Sequence, residues 1–376
     1  MPKVMIVTGE ASGDQHGANL ATALRAADPT CELSGVGGPR MSAAGVRLLE
    51  GLRRLDHMGL AGLSILRDGY YNLRLIARYL RSHRFDAVVL IDNAGMNLQL
   101  AKAAKAAGHR VVYYIAPQIW ASRPRRIRLM KRVIDLVLVI FPFEPALYEQ
   151  AGVACRFVGH PLLDEVAATY DRDALRRQFG LTGGGRVVGL LPGSRVREIE
   201  FLLPPMLAAA RRIRSAIPEC RFVLAQASSI SHSLLDRYLS SAAIPVTVVA
   251  GQPSEVMAAS DVLLVASGTA TLQAAIVGTP MVLTYRTTWL TYQLAKRMIL
   301  VRWIGLVNIL AGREVIPELI QGDATGERLS QEALRLLRDR GAYEKMKQDL
   351  ADVRQSLGEP GASERAAEAV LKVCAA

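Results

Sequence analysis

The sequence predicts an α/β fold with two parallel sheets, and three observations lead there. Short apolar runs rich in β-branched residues recur, at Val4–Val7, Ala87–Ile91, Val111–Ile115, Leu136–Ile140, Arg186–Leu191, 221–226, 246–249, 262–266 and 281–284. Helical stretches separate them, the alternation that builds parallel sheets. Several runs end in glycine turns before a helix start, where backbone N–H groups and the helix dipole favour an anion. With 376 residues the chain is long enough for two domains, each with its own core.

Composition narrows the partners. The chain carries 46 Lys+Arg against 34 Asp+Glu, a net charge of +12, which calls for an acidic partner: nucleic acid, a phosphorylated metabolite or an anionic membrane. Aromatic residues make up only 6%, and no RNA-binding aromatic signature or helix-turn-helix pattern stands out, which argues against nucleic acid. Cys31, Cys155, Cys220 and Cys374 lie far apart with no CxxC, so neither a zinc site nor a disulfide framework is expected, and a reducing cytoplasm fits. The N-terminus enters a strand directly, without a signal-peptide pattern. Asp135 interrupts the best apolar stretch, Val133–Phe143, so the protein is expected to touch a membrane without spanning it.

In chain order, Val4–Val7 reads as a buried strand followed by the glycine loop Gly9–Asp14 and a helix to Arg25. The glycines at 9, 13 and 17 match neither the dinucleotide fingerprint nor the phosphate loop, so the loop is a tight turn or a place of close ligand approach. Gly35–Gly38 is a second such turn. From Leu52 to Arg84, leucines at helical spacing alternate with Arg53, Arg54, Arg67, Arg74, Arg78, Arg81 and Arg84. That pattern is a core face with a solvated back, or a basic amphipathic surface for lipid. Ala87–Ile91 ends in Asp92. Open α/β sheets bind ligands beyond the carboxyl ends of their strands, so Asp92 is placed for chemistry, or else serves as a turn or cap. Trp120 then precedes a crowd of Arg123, Arg125, Arg126, Arg128, Lys131 and Arg132, a solvated helix or a contact for phosphate and anionic lipid. Phe141–Glu144 follows the next strand, and Phe157–Pro161 closes the first domain with His160 read as structural.

The second half is organised around Leu191–Arg195. Ser194 sits where an N-cap would open a helix from about Glu198 to Ser215, leaving free N–H groups in the turn. Arg195 adds a planar, permanently charged fork suited to phosphate oxygens. The arrangement recurs where Val262–Ala266 meets Ser267, Gly268, Thr269, Ala270 and Thr271, before a helical run from Leu272. Two such loops suggest a bound diphosphate. Asp171 and Asp173 form an acid-x-acid pair, but they sit in a linker before a helix and are read as capping. Ser254 reads as the cap of another helix, Trp289–Trp303 as a second basic, apolar surface for lipid, and 327–374 as two amphipathic helices.

Taken together, these stretches resemble the lipid-A-disaccharide synthase family, membrane-associated transferases of glycosyltransferase family 19. The likeness covers nearly the whole chain. It is carried by Gly9–Asp14 (GEASGD), Gly37–Met41 (GGPRM), His57–Leu60, Ile91-Asp92, Phe141–Glu144 (FPFE), Phe157–Pro161 (FVGHP), Leu191–Arg195 (LPGSR), Ala266–Leu272 (ASGTATL) and Asn308–Glu314 (NILAGRE). The resemblance implies a GT-B type fold, two Rossmann-like domains with parallel sheets facing a central cleft. Residues 1–165 would be the acceptor and membrane-facing domain, 166–350 the UDP-sugar domain, and 351–376 a C-terminal helix packing back on the first.

The resemblance also implies an inverting, metal-independent hexosyltransferase. It would move 2,3-diacylglucosamine from UDP to the 6-hydroxyl of 2,3-diacylglucosamine 1-phosphate, forming the β-1,6 lipid A disaccharide of lipopolysaccharide and releasing UDP. No cofactor, metal or nucleic acid is implied. A cytoplasmic place at the inner-membrane surface is, with a homodimer as a candidate assembly. Asp92 matches the family's essential acid and Arg195 the group that stabilises the leaving UDP. Gly193, Ser194, Arg195, Ser267, Gly268, Thr269, Ala270, Thr271, Gln273 and Asn308 would bind the donor. Ser12, Met58, Trp120, Arg123, Arg125 and Arg126 would face the acceptor and membrane.

The sequence departs from the family pattern in four places. Gly95 stands where a second acid is common, Gln273 where a glutamate holds the ribose, and Val307 where a proline precedes Asn308, while Trp120-Ala121-Ser122-Arg123 lacks the second tryptophan usual there. Rival readings are a diverged UDP-sugar transferase or a UDP-N-acetylglucosamine 2-epimerase-like enzyme, and an inactive membrane-peripheral nucleotide-sugar-binding homologue. An epimerase would not need the basic amphipathic segments, and an inactive homologue would have no reason to keep both Asp92 and Arg195.

Overall fold

Runs such as VMIV, AVVLI and VLLVA are apolar along their whole length, the pattern of strands covered on both faces. The computed structural model buries them so, and describes every residue except Glu10, 53–62 and Arg123, together with all side chains but those of Ala11 and 63–66. Of the sequence expectations, Met58 with the His57–Leu60 stretch, Arg123 and Glu10 therefore lie outside the described residues. The chain divides into two units, Met1–Pro161 with Leu357–Ala376, and Leu162–Ser356.

The first unit runs β1 (Lys3–Val7), α1 (Ala11–Ala27), β2 (Glu32–Val36), α2 (Pro39–Ala43), β3 (Arg47–Leu48), α3 (Leu63–Ser82) and β4 (Ala87–Ile91). It continues with α4 (Ala94–Ala106), β5 (Arg110–Tyr114), α5 (Arg126–Val133), β6 (Leu136–Val139), α6 (Glu144–Gln150) and β7 (Cys155–Phe157). The strands pair in parallel in the order β3-β2-β1-β4-β5-β6-β7, so strand order reverses between β1 and β4. Met5, Val7, Leu90, Tyr113, Val139 and Tyr148 belong to its core. The arginine-rich α3 turns Ile76 and Leu80 into that core while Arg74, Arg78 and Arg81 stay exposed.

The second unit runs α7 (Leu162–Glu165), α8 (Arg172–Gln178), β8 (Val187–Leu191), α9 (Val196–Ala216), β9 (Arg221–Gln226), α10 (His232–Leu239), β10 (Val246–Ala250) and α11 (Pro253–Ala259). Then come β11 (Val262–Ala266), α12 (Thr269–Val277), β12 (Met281–Tyr285), α13 (Trp289–Met298), α14 (Leu306–Ala311), β13 (Glu318–Ile320), α15 (Gly326–Arg338) and α16 (Arg340–Ser356). Its parallel sheet has the order β10-β9-β8-β11-β12-β13, reversing between β8 and β11. Buried Asp261 ties this unit together, accepting from the Val187 N–H at 2.6 Å and pairing with Arg172 and Arg176 at 2.7 and 2.8 Å.

A last helix, α17 (Ala362–Ala375), completes the first unit. It buries Ala362, Ala366, Ala367, Ala369 and Val370 against α1, β4 and β5. Arg365 Nε donates to the Val158 carbonyl at 2.8 Å, and an Arg110 guanidinium nitrogen to the Val373 carbonyl at 3.2 Å.

Several local readings change. The segment read as two C-terminal helices forms three, because Asp339 and the Gly358–Gly361 turn break it. Cys155–Phe157, which the sequence reading did not mark as a strand, is the seventh strand, and it leads into the Phe157–Pro161 stretch where the first unit ends. Ser254 caps nothing: α11 starts from Gln252 with Pro253 at its first position. Asp171 does cap α8, accepting from the Ala174 N–H at 2.9 Å. All four cysteines are free, and burial pushes Cys31 up to about 11 and the others up to about 12, which leaves them protonated thiols. Among the described residues no helix is long and apolar enough to cross a membrane.

Candidate functional site

In the first unit, Asp92 stands just past the end of β4, where the sheet reverses. Asp92 and Asn93 both take left-handed backbone angles, with φ of +52° and +40°. Non-glycine residues hold such angles only where neighbours enforce them. Here the Tyr113 hydroxyl donates to the Asp92 carbonyl at 2.5 Å, and Asn97 Nδ2 donates to the carbonyls of Ile91 and Asp92 at 2.9 and 2.8 Å. Asn93 is the N-cap of α4, accepting from the Met96 N–H at 3.5 Å. The Asp92 carboxylate is therefore not spent on a cap, and its residue is exposed. Gly9 leaves the room that the Asn93 side chain fills, since a Cβ at Gly9 would collide with the Asn93 amide.

The remaining first-unit motif residues support this edge. Asp14 is buried and accepts from the N–H groups of Gly38, Arg40 and Met41 at 2.7, 3.1 and 3.1 Å, so GEASGD holds GGPRM at the start of α2. Burial pulls the His16 pKa below its usual 6.5 while the charge of Asp92 resists. His160 is buried against Phe141, ring centroids 5.4 Å apart, and burial lowers its pKa to about 3, so it stays neutral. Ser12 is exposed in the first turn of α1, and Arg125 and Arg126 open α5.

Trp120 is held by a residue that sequence reasoning quoted without a role. Its indole N–H donates to Glu144 Oε1 at 3.0 Å, and the Phe141 N–H donates to Glu144 Oε2 at 3.1 Å. The indole meets Phe143 edge-on with centroids 5.0 Å apart. Burial in this aromatic setting pushes the Glu144 carboxyl up to about 7, against the pull of those two donors.

In the second unit both glycine loops fall at the reversal point, because β8 pairs directly with β11. Gly193, Ser194 and Arg195 follow β8; Ser267, Gly268, Thr269, Ala270 and Thr271 follow β11. The first loop differs from the expectation. Arg195, not Ser194, is the N-cap, and the N–H groups of Ser194 and Arg195 are taken by Glu198 Oε2 at 2.8 and 3.2 Å. Glu198 also pairs with the Arg195 guanidinium at 3.0 Å, which stays 78% exposed. Gly193, at φ +111°, leaves the space that the Glu198 carboxylate enters. The signal was present in the sequence: an acid three residues after the cap reaches back to it.

The second loop has no such carboxylate. Gly268 caps α12 without a side chain. The Ser267 N–H donates to the Thr284 carbonyl at 3.1 Å, and Thr271 Oγ1 turns back to the Gly268 carbonyl at 2.8 Å. Thr269 is exposed, while Ala270 and Gln273 are half-buried. Asn308, expected at the donor, is fully buried with its side chain saturated. Its Oδ1 accepts from Val315 and Ile316 N–H at 2.7 and 3.0 Å, and its Nδ2 donates to the Ile316 carbonyl and Glu318 at 2.9 and 2.8 Å. It therefore shapes the turn after α14 and offers no free polar atom to a ligand. Among the described residues, no three His, Cys, Asp or Glu side chains group as for a metal ion.

The comparisons with known proteins bear on this arrangement. The family model for lipid-A-disaccharide synthetase matches residues 4–373. The lipid-A-disaccharide synthase of Geobacter sulfurreducens is 42% identical over 375 residues, covering 99% of this chain and 97% of that protein. Two solved structures share the fold at low identity. The UDP-GlcNAc 2-epimerase of Neisseria meningitidis, bound to UDP-GlcNAc, aligns with a TM-score of 0.64 at 14% identity, covering 98% of this chain and all of its own. The calicheamicin glycosyltransferase CalG4 gives 0.61 at 15%, covering 100% of this chain and 98% of its own. The two parallel sheets are thus a GT-B type fold, and the near-complete match in sequence goes further than fold: the chain belongs to the lipid-A-disaccharide synthase family, glycosyltransferases of lipid A biosynthesis.

Proposed function

We propose that the chain transfers 2,3-diacylglucosamine from UDP to the 6-hydroxyl of 2,3-diacylglucosamine 1-phosphate, with inversion, forming a β-1,6 bond and releasing UDP. The observation that carries this reading is where the two sheets reverse: beside Asp92 in one, and beside both glycine loops in the other. Those are the places where open α/β sheets take their ligands.

Asp92 accepts the proton of the acceptor hydroxyl as its oxygen attacks the anomeric carbon. The bond from that carbon to the diphosphate oxygen breaks, and negative charge grows on UDP. Arg195 and the uncapped start of α12, with Ser267–Thr271, meet that charge. Because protein groups are assigned this role, turnover should persist in the presence of a chelator. The exposed arginines of α3 and the start of α5, with Trp120, are assigned to the acceptor phosphate and to a peripheral place on an anionic inner-membrane surface. Neither nucleic acid nor a cofactor is needed.

Incubation with acylated and non-acylated UDP-glucosamine donors plus the monosaccharide lipid acceptor, followed by mass detection, tests the reading. A β-linked tetra-acylated disaccharide phosphate with released UDP is expected. Equal use of the non-acylated donor would exclude a dedicated lipid substrate.

A further inference from the structure

Beyond the strand ends, the second unit contains a cavity of about 540 Å³ whose lining includes Phe201, Arg286, Trp289, Tyr292, Gln293 and Gly322. Its size falls in the range of small-ligand sites. One wall is fixed by Gln321, whose side-chain amide accepts from the Thr287 N–H at 2.7 Å and donates to the Thr287 carbonyl at 3.1 Å. Another wall is α13, a helix with no buried residue. Trp289, Leu290, Leu294 and Met298 on it, and Leu300 just after it, are 72, 63, 53, 46 and 62% exposed. Helices of this length are held by packing of an apolar face, and among the described residues that face of α13 is left exposed. Between Asp261 and Glu314 the chain contains no acidic residue, while Arg286, Lys296, Arg297 and Arg302 fall there; Arg313, in the same stretch, is paired with Asp349. An apolar cavity with these basic side chains on and around it suits an amphiphile with an anionic head and a hydrocarbon tail.

Along the chain, the cavity's lining is close to the loops assigned to the diphosphate. Thr284, which accepts the Ser267 N–H, lies two residues before Arg286. Phe201 lies six residues beyond Arg195 on the same helix, about 9 Å along its axis. We infer that this cavity receives an acyl chain of the nucleotide-linked donor, with Phe201, Trp289 and Tyr292 covering the chain, and so sets which acylated donors the enzyme accepts. The assignment rests on the donor reading given above.

Gly322 offers a direct test, because a Cβ there meets nothing within 4 Å and a larger side chain fits into open space. Affinities of wild type, Gly322→Phe and Trp289→Ser are measured for UDP, non-acylated UDP-glucosamine and its diacylated form, with melting temperatures as a fold control. Gly322→Phe should bind UDP and the non-acylated donor within about twofold of wild type, and the diacylated donor at least about 10-fold more weakly, since each methylene kept in water weakens binding severalfold. Trp289→Ser, a change at an exposed residue, should shift the diacylated donor alone by about threefold. Should Gly322→Phe fail to fold, the Trp289→Ser ratio decides. If both variants keep the wild-type preference for the acylated donor, the cavity assignment is wrong and the transferase reading stands. Loss of binding to phosphatidylglycerol vesicles with that preference intact would overturn it in favour of a bilayer lipid. A wild type that binds none of the nucleotides overturns both readings.

Discussion

The two points of strand reversal present different kinds of group. In the first sheet it is an exposed side chain, Asp92, on a left-handed turn whose carbonyl Tyr113 and Asn97 pin. In the second sheet the offer is backbone amides and a guanidinium, and its two loops differ again. The start of α9 is filled by its own Glu198, whereas the start of α12 has no side-chain cap. A glycine turn before a helix therefore does not by itself leave its amides free; at α9 an acid within the first turn takes two of them.

The sharpest way to break this contrast is Asp92→Asn. Turnover should fall by about 10²- to 10⁴-fold, the range for a lost general base, while UDP affinity stays. An active Asn variant with normal rates would move the base elsewhere. Next comes Arg195→Ala, with a loss of at least about 100-fold in kcat through lost charge stabilisation; a near-normal kcat would leave the α12 loop alone with the diphosphate. Glu198→Ala then separates the two loops. Its removal should destabilise the fold by about 0.5–2 kcal/mol as a cap is lost. The same change should tighten UDP binding about threefold by freeing two amides and Arg195 from a competing carboxylate. Weaker UDP binding on calorimetry would show that Glu198 builds the site and does not obstruct it.

The smallest expected effect concerns Glu144. Its carboxyl titrates near 7 when folded against an ordinary 4.5, so the folded state binds the extra proton between those values. Its contribution to stability is full below 4.5 and is lost as pH rises toward and through 7. Melting curves of wild type and Glu144→Gln should therefore diverge across that window, wild type losing ground as pH rises; parallel curves would mean the proton is not held there.

Much of the fold could be read because period and turn chemistry agree. Buried parallel strands such as Ala87–Ile91 and Val262–Ala266 are uniformly apolar, and their ends are marked by Asp92 and Gly268. The short edge strands Arg47–Leu48 and Glu318–Ile320 escaped notice because two or three residues carry no period. Asp92 and the loop glycines could be placed at strand ends from sequence. The saturation of Asn308 could not, since its partners at Val315, Ile316 and Glu318 meet it only when the turn closes. Glu144 was hidden for a similar reason: an acid beside two phenylalanines looks like a helix start until Trp120 arrives from 24 residues upstream.

The return of α17 to the first unit bears on how the protein is made. Residues 1–161 leave the ribosome long before 362–375, and by then the whole second unit has been synthesised. Until that late segment arrives, the side of α1 and of strands β4 and β5 that it covers stays bare. The nascent first half must wait, half-dressed, through the translation of its neighbour, a period in which chaperone capture or premature association is most to be expected.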